Sequence, residues 1–479
     1  MTEVALHRLG ALEAADRMAA GTLTSAELVE HLVARIERLD PTLHAIIAVH
    51  PEAREQAGAA DARRAAGQPR SVLDGVPVIV KDNIEAAGLP GSAGSLALRG
   101  SPAQRDAPLV ARMREAGLVV LAAANLSEWA NFRGRSSTSG WSAAGGLTDN
   151  PWHPGRSAGG SSSGSGASVA AGYAPLAIGT ETDGSITCPA ALCGVTGLKP
   201  TVGTVSVEGV VPIAASQDSP GPMARSVADV AALAAVLTGA DPADPIPELH
   251  AGRPRRFVIG APAAWLTGDP DTDAAFARAV DAIRAAGIPV VDVEVAPVVD
   301  EVGADEVTVL VHEMADDLDA YLAGRPGVGP SSVAEVVAFN EAHADDELAH
   351  FGQEYLEQAV ASGGRAGTGY AEARARNLEW ALEAVLHPAF AHGVDALAAP
   401  AYGPAWVSRL DGGDVSTGGA VTTAPAIAGW PLLTLPMGLV GGLPVGLVLV
   451  APAHGEATLL AIGAAVEYAL GWSGHPALD

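Results

Sequence analysis

The sequence predicts an α/β domain in which helices cover a central sheet, and three observations lead there. Short Val/Ile/Ala-rich runs such as GVPVIVKDNI and LVVLAAANL alternate with amphipathic runs such as TSAELVEHLVARIERL and LVARMREAG. Strands alternating with helical patterns are the signature of a sheet with covering helices. Strand character returns near the C-terminus after a long helical stretch, so sheet material flanks that stretch and argues for one large domain. Hydrophobic residues make up 48% of the 479 positions, enough to bury a sizeable core.

Taken in order, residues 1–70 read as an N-terminal helical segment. Apolar positions recur at helical spacing through TSAELVEHLVARIERL, with Thr24 or Ser25 as N-cap. A core follows over 71–240. It opens with the Val/Ile strand that ends at Lys81 and continues through the LVARMREAG helix and the LVVLAAANL strand. Between about 133 and 166 the chain is rich in Gly, Ser and Asn, and a long irregular loop inside a compact domain is functional or disordered. The dense helix, strand, turn and helix signals of ASVAAGYAPLAIGTETDGSITCPAALCGVTGLKPT follow directly, so the loop is expected to be held in place. Residues 241–390, rich in Ala and Glu, read as a variable helical insert with Gly/Pro breaks near 324–330 and 362–368. Residues 391–479 return to the sheet through VDALAAP, LLTLPM and LPVGLVLVA.

The formal charge of −27 repels phosphate backbones and anionic lipid, and no Lys/Arg cluster offsets it. No nucleic-acid partner is expected. No apolar run of about twenty residues suggests a membrane span, and the start lacks a basic patch followed by an apolar stretch. Cys188 and Cys193, the only cysteines, read as buried small residues, and the cytoplasm is the expected compartment. The acidic runs at 300–306 and 341–358, and the carboxylates around 316–319, read as solvated helix faces, so no metal site is expected.

Only two lysines occur, Lys81 and Lys199, in a chain that uses arginine everywhere else for positive charge. Arginine cannot release its proton near neutral pH, whereas a buried lysine can and then serves as a base. Two serine-bearing segments accompany them. The run Gly159–Gly166 (GGSSSGSG) lacks the Gly-Lys-Ser/Thr ending of a phosphate loop. It matches G-x-S-x-G, but the preceding DNPWHPGRSA carries two prolines and no strand, contrary to a nucleophile elbow. Thr182-Asp183-Gly184-Ser185-Ile186 directly follows the strand-like PLAIG. A glycine before a serine in a tight turn lets successive N–H groups converge, the geometry of an oxyanion hole, and places Ser185 to attack a carbonyl. No histidine lies near it in sequence.

Lys81 in GVPVIVKDNI, the run GGSSSGSGASVAAG, the stretch GTETDGSITCPAALCGVTGLKPT and the ending GLPVGLVLVAP with downstream EATLL together resemble the amidase signature family. The resemblance implies a single α/β/α domain with a mixed sheet and a Ser-Ser-Lys triad, with no cofactor. Residue by residue, it makes Ser185 the nucleophile, Ser161 the bridging serine after a cis peptide bond from Gly160, and Lys81 the base. The backbone N–H groups of Thr182, Asp183, Gly184 and Ser185 become the oxyanion hole. Such a lysine must be buried away from carboxylates, lowering its pKa by about three units from about 10.4.

The chain departs from most relatives at Asp183 and Thr187, where they carry a glycine and an arginine. Loss of that arginine argues against small carboxylate-bearing amides. GTETDGSI, NLSEWANFRG and QDSPGPMARSVAD are most similar to peptide amidases, which remove the C-terminal amide from peptides. The expected substrate is therefore a small-molecule or short peptide amide, with Asp183 disfavouring a free carboxylate beside the scissile carbonyl. Asn131 is a candidate for binding the substrate backbone, although loop asparagines also form turns. Trp129, Trp141 and Trp430 either wall an acyl pocket or pack in the core, and Lys199 is expected to be structural. Rival readings are an amidase or esterase of broader aryl or aliphatic amides, the amidase subunit of a tRNA-dependent amidotransferase, a noncatalytic binding protein, and an α/β-hydrolase using Ser162 with a late histidine such as His454. Oligomeric state stays open.

Overall fold

The computed structural model describes residues 5–244, 257–325 and 329–478. Its strands in chain order are β1 (Ile46–Val49), β2 (Pro77–Lys81), β3 (Val119–Ala124), β4 (Trp141–Ser142), β5 (Gly146–Leu147), β6 (Leu176–Glu181), β7 (Thr196–Lys199), β8 (Ser219–Ala224), β9 (Ile259–Pro262), β10 (Val290–Val293), β11 (Ala396–Pro400), β12 (Leu432–Val440) and β13 (Leu443–Val450). Eleven of them form one sheet in the order β1-β3-β2-β6-β8-β7-β12-β13-β11-β9-β10, while β4 and β5 pair separately. The sheet is mixed: β2 runs parallel to β3 and β6, and β6, β8, β7, β12 and β13 alternate in direction. Every residue of β2 and β6 is buried, as continuous apolar runs covered on both faces by helices require.

Local chemistry explains the elements that frame the site. Helix Ser25–Leu43 begins at Thr24, whose hydroxyl accepts from Glu27 N at 3.1 Å while the Glu27 carboxylate accepts from Thr24 N at 2.9 Å, a complete capping box. It buries Leu28, Val29, Leu32, Val33 and Ile36. The glycine-serine run is the start of helix Ser163–Ala171. A Cβ on Gly164 would collide with the carbonyl oxygens of Ala45 and Asn125, so glycine lets this helix approach neighbouring backbone. The turn between β12 and β13 falls on Gly441 and Gly442, at φ 58° and 84°, as a tight hairpin between antiparallel strands demands.

Short strands enter two segments that read as mainly helical. The N-terminal helical segment contains the sheet-edge strand β1, and residues 241–390 contribute β9 and β10, which extend the sheet beyond β11. Each is only four residues long, too short to register as a period against Ala-rich surroundings. The Gly/Pro break at 324–330 falls partly outside the described residues. The acidic runs are not uniformly solvated either: Glu306 and Glu347 are buried, as is Glu313 on the same helix as Glu306, Asp300–Gly324. On that helix Asp316 and Asp317 pair with Arg365, and Asp319 accepts from Val333 N.

Candidate active site

Because β2 and β6 are parallel neighbours, their C-terminal ends open at the same edge of the sheet, where ligands gather in α/β folds. Lys81 closes β2, and Thr180 and Glu181 close β6. Lys81 is fully buried, with Nζ 2.8 Å from Ser161 Oγ, 2.8 Å from Thr180 Oγ1 and 3.2 Å from Thr180 O. Burial lowers its pKa to about 7, against the opposing pull of the Asp218 and Glu181 carboxylates. The surroundings are thus not free of carboxylates. Both acids are committed elsewhere: Asp218 accepts from Thr182 Oγ1 and from the N–H groups of Ile213 and Ala214, and Glu181 accepts from Ile186 N and Thr187 N, both at 2.7 Å.

Glu181 also accepts from the Thr187 hydroxyl at 3.2 Å, which orders the turn after Ser185 at the start of helix Thr187–Cys193. Gly184 sits at φ +79°, and a Cβ there would lie 2.5 Å from the Tyr402 hydroxyl, so only glycine fits. The N–H groups of Thr182, Asp183, Gly184 and Ser185 donate no hydrogen bond among the described residues, leaving four successive donors uncommitted. The peptide bond between Gly160 and Ser161 is cis. Around it, Ser127 N donates to Ser161 O and Ser162 N donates to Ser185 O, each at 3.0 Å, so the two serine segments are stitched together through backbone. No hydrogen bond links the Ser161 and Ser185 hydroxyls in this structure.

Ser185 opens onto a cavity of about 240 Å³ lined by Asn131, Phe132, Ser139, Thr182, Asp183, Cys188, Tyr402, Trp406 and Asp414, among others. A larger cavity of about 450 Å³ lies elsewhere, between residues 7–13 and 472–476, and contains none of Lys81, Ser161 or Ser185. Asn131 therefore lines the site cavity, as does Asp183. Burial pushes the Asp183 carboxyl up to about 6, and its Oδ1 is sealed from solvent with no hydrogen-bond partner. Of the two alternatives for Trp129, Trp141 and Trp430 the structure takes core packing, and among the described residues Trp406 is the tryptophan on the cavity wall. Cys188 and Cys193 are buried free thiols. Lys199 donates to the carbonyls of Trp430 and Pro200, at 2.8 and 3.3 Å, and burial lowers it to about 8. Ser162 Oγ is tied to Thr180 O at 3.0 Å and is fully buried, and among the described residues no histidine lines the cavity.

Sequence reasoning missed two features. Trp129, Ala130 and Asn131 all have positive φ (50°, 54° and 71°), an unfavourable backbone for residues bearing a Cβ that surrounding structure must enforce. Part of that enforcement is Arg133, fully buried, which pairs with Glu128, donates to the carbonyls of Glu347 and Phe351, and lies 4.1 Å over the Phe351 ring. Glu347 in turn accepts from Ser95 Oγ and Leu96 N. The second is Glu306, buried and 2.8 Å from Gln217 Nε2, raised to about 8 by burial with the Asp183 charge adding. Both carboxylates sit in acidic runs that look like surface.

A protein-family model described as "Amidase" matches residues 27–460. The chain belongs to the amidase family. Among solved structures it is similar to native peptide amidase from Stenotrophomonas maltophilia, 42% identical with a TM-score of 0.90, covering 98% of this chain and 99% of that one. It is also similar to the peptide amidase PAM in complex with the competitive inhibitor chymostatin, 43% identical with a TM-score of 0.91 over the same shares. Among curated proteins, a glutamyl-tRNA(Gln) amidotransferase subunit from Anaeromyxobacter sp. (strain K) is 37% identical over 97% of both chains. In this amidase-family chain the GVPVIVK, GTETDGSI…GLKPT and GLPVGLVLVAP blocks contribute strands β2, β6, β7 and β13 to one mixed sheet, and GGSSSGSGASVAAG forms helix Ser163–Ala171 beside it. Among the described residues, no helix is long and apolar enough to cross a membrane.

Proposed function

We propose that this amidase hydrolyses the primary carboxamide of short peptides or similar small amides, releasing ammonia and a carboxylate through an acyl-enzyme at Ser185. The observation that carries this reading is a buried lysine, lowered to about 7, in hydrogen-bond contact with Ser161 beside a turn of four uncommitted N–H donors. Thr180 O and Thr180 Oγ1 accept the two N–H bonds of neutral Lys81, which leaves its lone pair for the Ser161 hydroxyl proton. Ser185 Oγ then attacks the carbonyl carbon as its proton passes to Ser161 and that of Ser161 passes to Lys81. The oxyanion forms against the N–H groups of residues 182–185. When the C–N bond breaks, the relay returns a proton to the leaving nitrogen, giving ammonia. Water repeats the sequence on the ester and frees Ser185. The Ser161–Ser185 hydroxyl contact is one that free enzymes often form only with substrate bound.

The peptide-amidase relatives favour a peptide amide, and so does a cavity wall that carries no arginine or lysine among the described residues. The amidotransferase reading has the curated relatives in its favour. Thr187, committed to Glu181 where an arginine stands in most relatives, weighs against it. The test is ammonia release from N-blocked dipeptide amides by the isolated chain. A loss of about 10³-fold or more in Ser185→Ala is expected, and an undiminished rate in that variant refutes the assignment.

A further inference from the structure

We propose that the site cavity selects a positively charged nitrogen on the acyl side of the scissile carboxamide, with Asp183 and Asp414 as the selecting residues. This rests on the amide-hydrolase reading above. Among the described residues, the cavity wall carries two carboxylates, Asp183 and Asp414, and no lysine, arginine or histidine. Its other ionisable groups, Cys188 and Tyr402, are held protonated by burial. Neither carboxylate has an ion-pair partner among the described residues.

Asp414 is held by neutral donors, Trp406 Nε1 at 2.9 Å and Ser139 N at 3.2 Å. These fix its position without cancelling its charge. The Asp183 carboxylate interacts with the neutral hydroxyls of Thr422 and Thr423, and its Oδ1 has no hydrogen-bond partner, an acceptor that a ligand's N–H would satisfy. The Lys199 charge acts on Asp183, but its ammonium is bonded to the carbonyls of Trp430 and Pro200 rather than to either carboxylate. Three aromatic rings complete the lining, Phe132, Tyr402 and Trp406, and aromatic faces beside carboxylates suit an ammonium or guanidinium. Such a lining also repels the product, because hydrolysis turns a neutral carboxamide into a carboxylate in the same cavity.

The cation has two possible sources, a basic side chain on the residue bearing the amide or a free α-ammonium, and the substrates tell them apart. Measure kcat/KM by ammonia release for N-blocked argininamide and lysinamide, N-blocked norleucinamide and citrullinamide, and norleucinamide with a free amine. At least one cationic series is expected to exceed its neutral counterpart by about tenfold. That ratio is expected to shrink severalfold in Asp414→Asn or Asp183→Asn, with 1 M salt compressing it as well. Ratios taken within each enzyme remain valid if a variant loses general activity. Cationic and neutral amides turned over within twofold of each other, or a preference unchanged in both variants, would overturn the proposal. Ser185-dependent turnover of norleucinamide tests the hydrolase reading separately, so the two can fail independently.

Discussion

Replacing Lys81 with arginine or methionine probes both the proposed chemistry and the energy stored in the site. Its pKa is lowered from 10.5 to about 7 by full burial. A base of that pKa is half neutral at about pH 7 and roughly 1% neutral at about pH 5, so kcat/KM should rise about tenfold per pH unit up to about 7 and then level. Arginine stays charged across this range, and Lys81→Arg should lose about 10²–10⁴-fold in rate at every pH. The same shift is a statement about stability. The native state gives up the proton near 7 while the unfolded chain keeps it to about 10.5, so between those values the unfolded state binds more protons and stability rises with pH. The cost of burying the lysine, fully present below 7, is about 5 kcal/mol at about 1.4 kcal/mol per pKa unit. Lys81→Met has no such cost, so its stability advantage over the parent should shrink by several kcal/mol between about pH 7 and pH 10.5. Titrating groups that do not interact with Lys81 cancel in that difference. Urea unfolding at a series of pH values reads it directly. A pH-independent rate between about pH 5.5 and 8, a Lys81→Arg enzyme with more than a tenth of parental activity, or a stability difference that ignores pH would refute the assignment.

Gly184→Ala should lower kcat by at least about tenfold with little change in unfolding free energy beyond about 1–2 kcal/mol, because φ +79° and the Tyr402 hydroxyl at 2.5 Å both oppose a Cβ in the oxyanion turn; steady-state kinetics with a parallel melt checks it. Arg133→Met should destabilise the protein by about 3–5 kcal/mol, because it leaves the buried Glu128 and Glu347 carboxylates uncompensated. Denaturant titration measures that loss. Asp183→Gly should lessen the discrimination between amidated substrates and analogues with a free carboxylate near the scissile bond, read as a ratio of kcat/KM values; an unchanged ratio would defeat the selectivity role of Asp183.

The segments of the proposed site were legible because each is a contiguous string whose chemistry is local. TDGSI needs glycine before serine for its turn, and Gly184 has the positive φ such a turn requires. Lys81 ends a strand of apolar residues, so its burial followed from GVPVIV. Two short strands within the mostly helical 241–390 escaped notice for the opposite reason. IGAP and VVDV become β9 and β10 only by pairing with each other and with β11, more than a hundred residues further on. Glu306 and Glu347 looked like surface because composition counts charges without showing which face of a helix each occupies. The same limit hid Trp406: any of several tryptophans can wall a cavity until the loops that form the wall are placed.

By itself, the sequence determined the α/β architecture, the identity of the lysine and serines brought to one sheet edge, and the glycine that the turn after β6 needs, because each depends on residues adjacent in the chain. Tertiary structure alone decided how far Lys81 is shifted, since that depends on desolvation and on Glu181 at the end of β6 and Asp218 just before β8. It also decided the left-handed run at Trp129–Asn131, which Arg133 and Glu347 help hold across more than two hundred residues of sequence. The charge of the cavity was decided there too. Asp183 and Asp414 come from opposite halves of the chain, and an electrostatic field is a sum over positions in space, which no local pattern encodes.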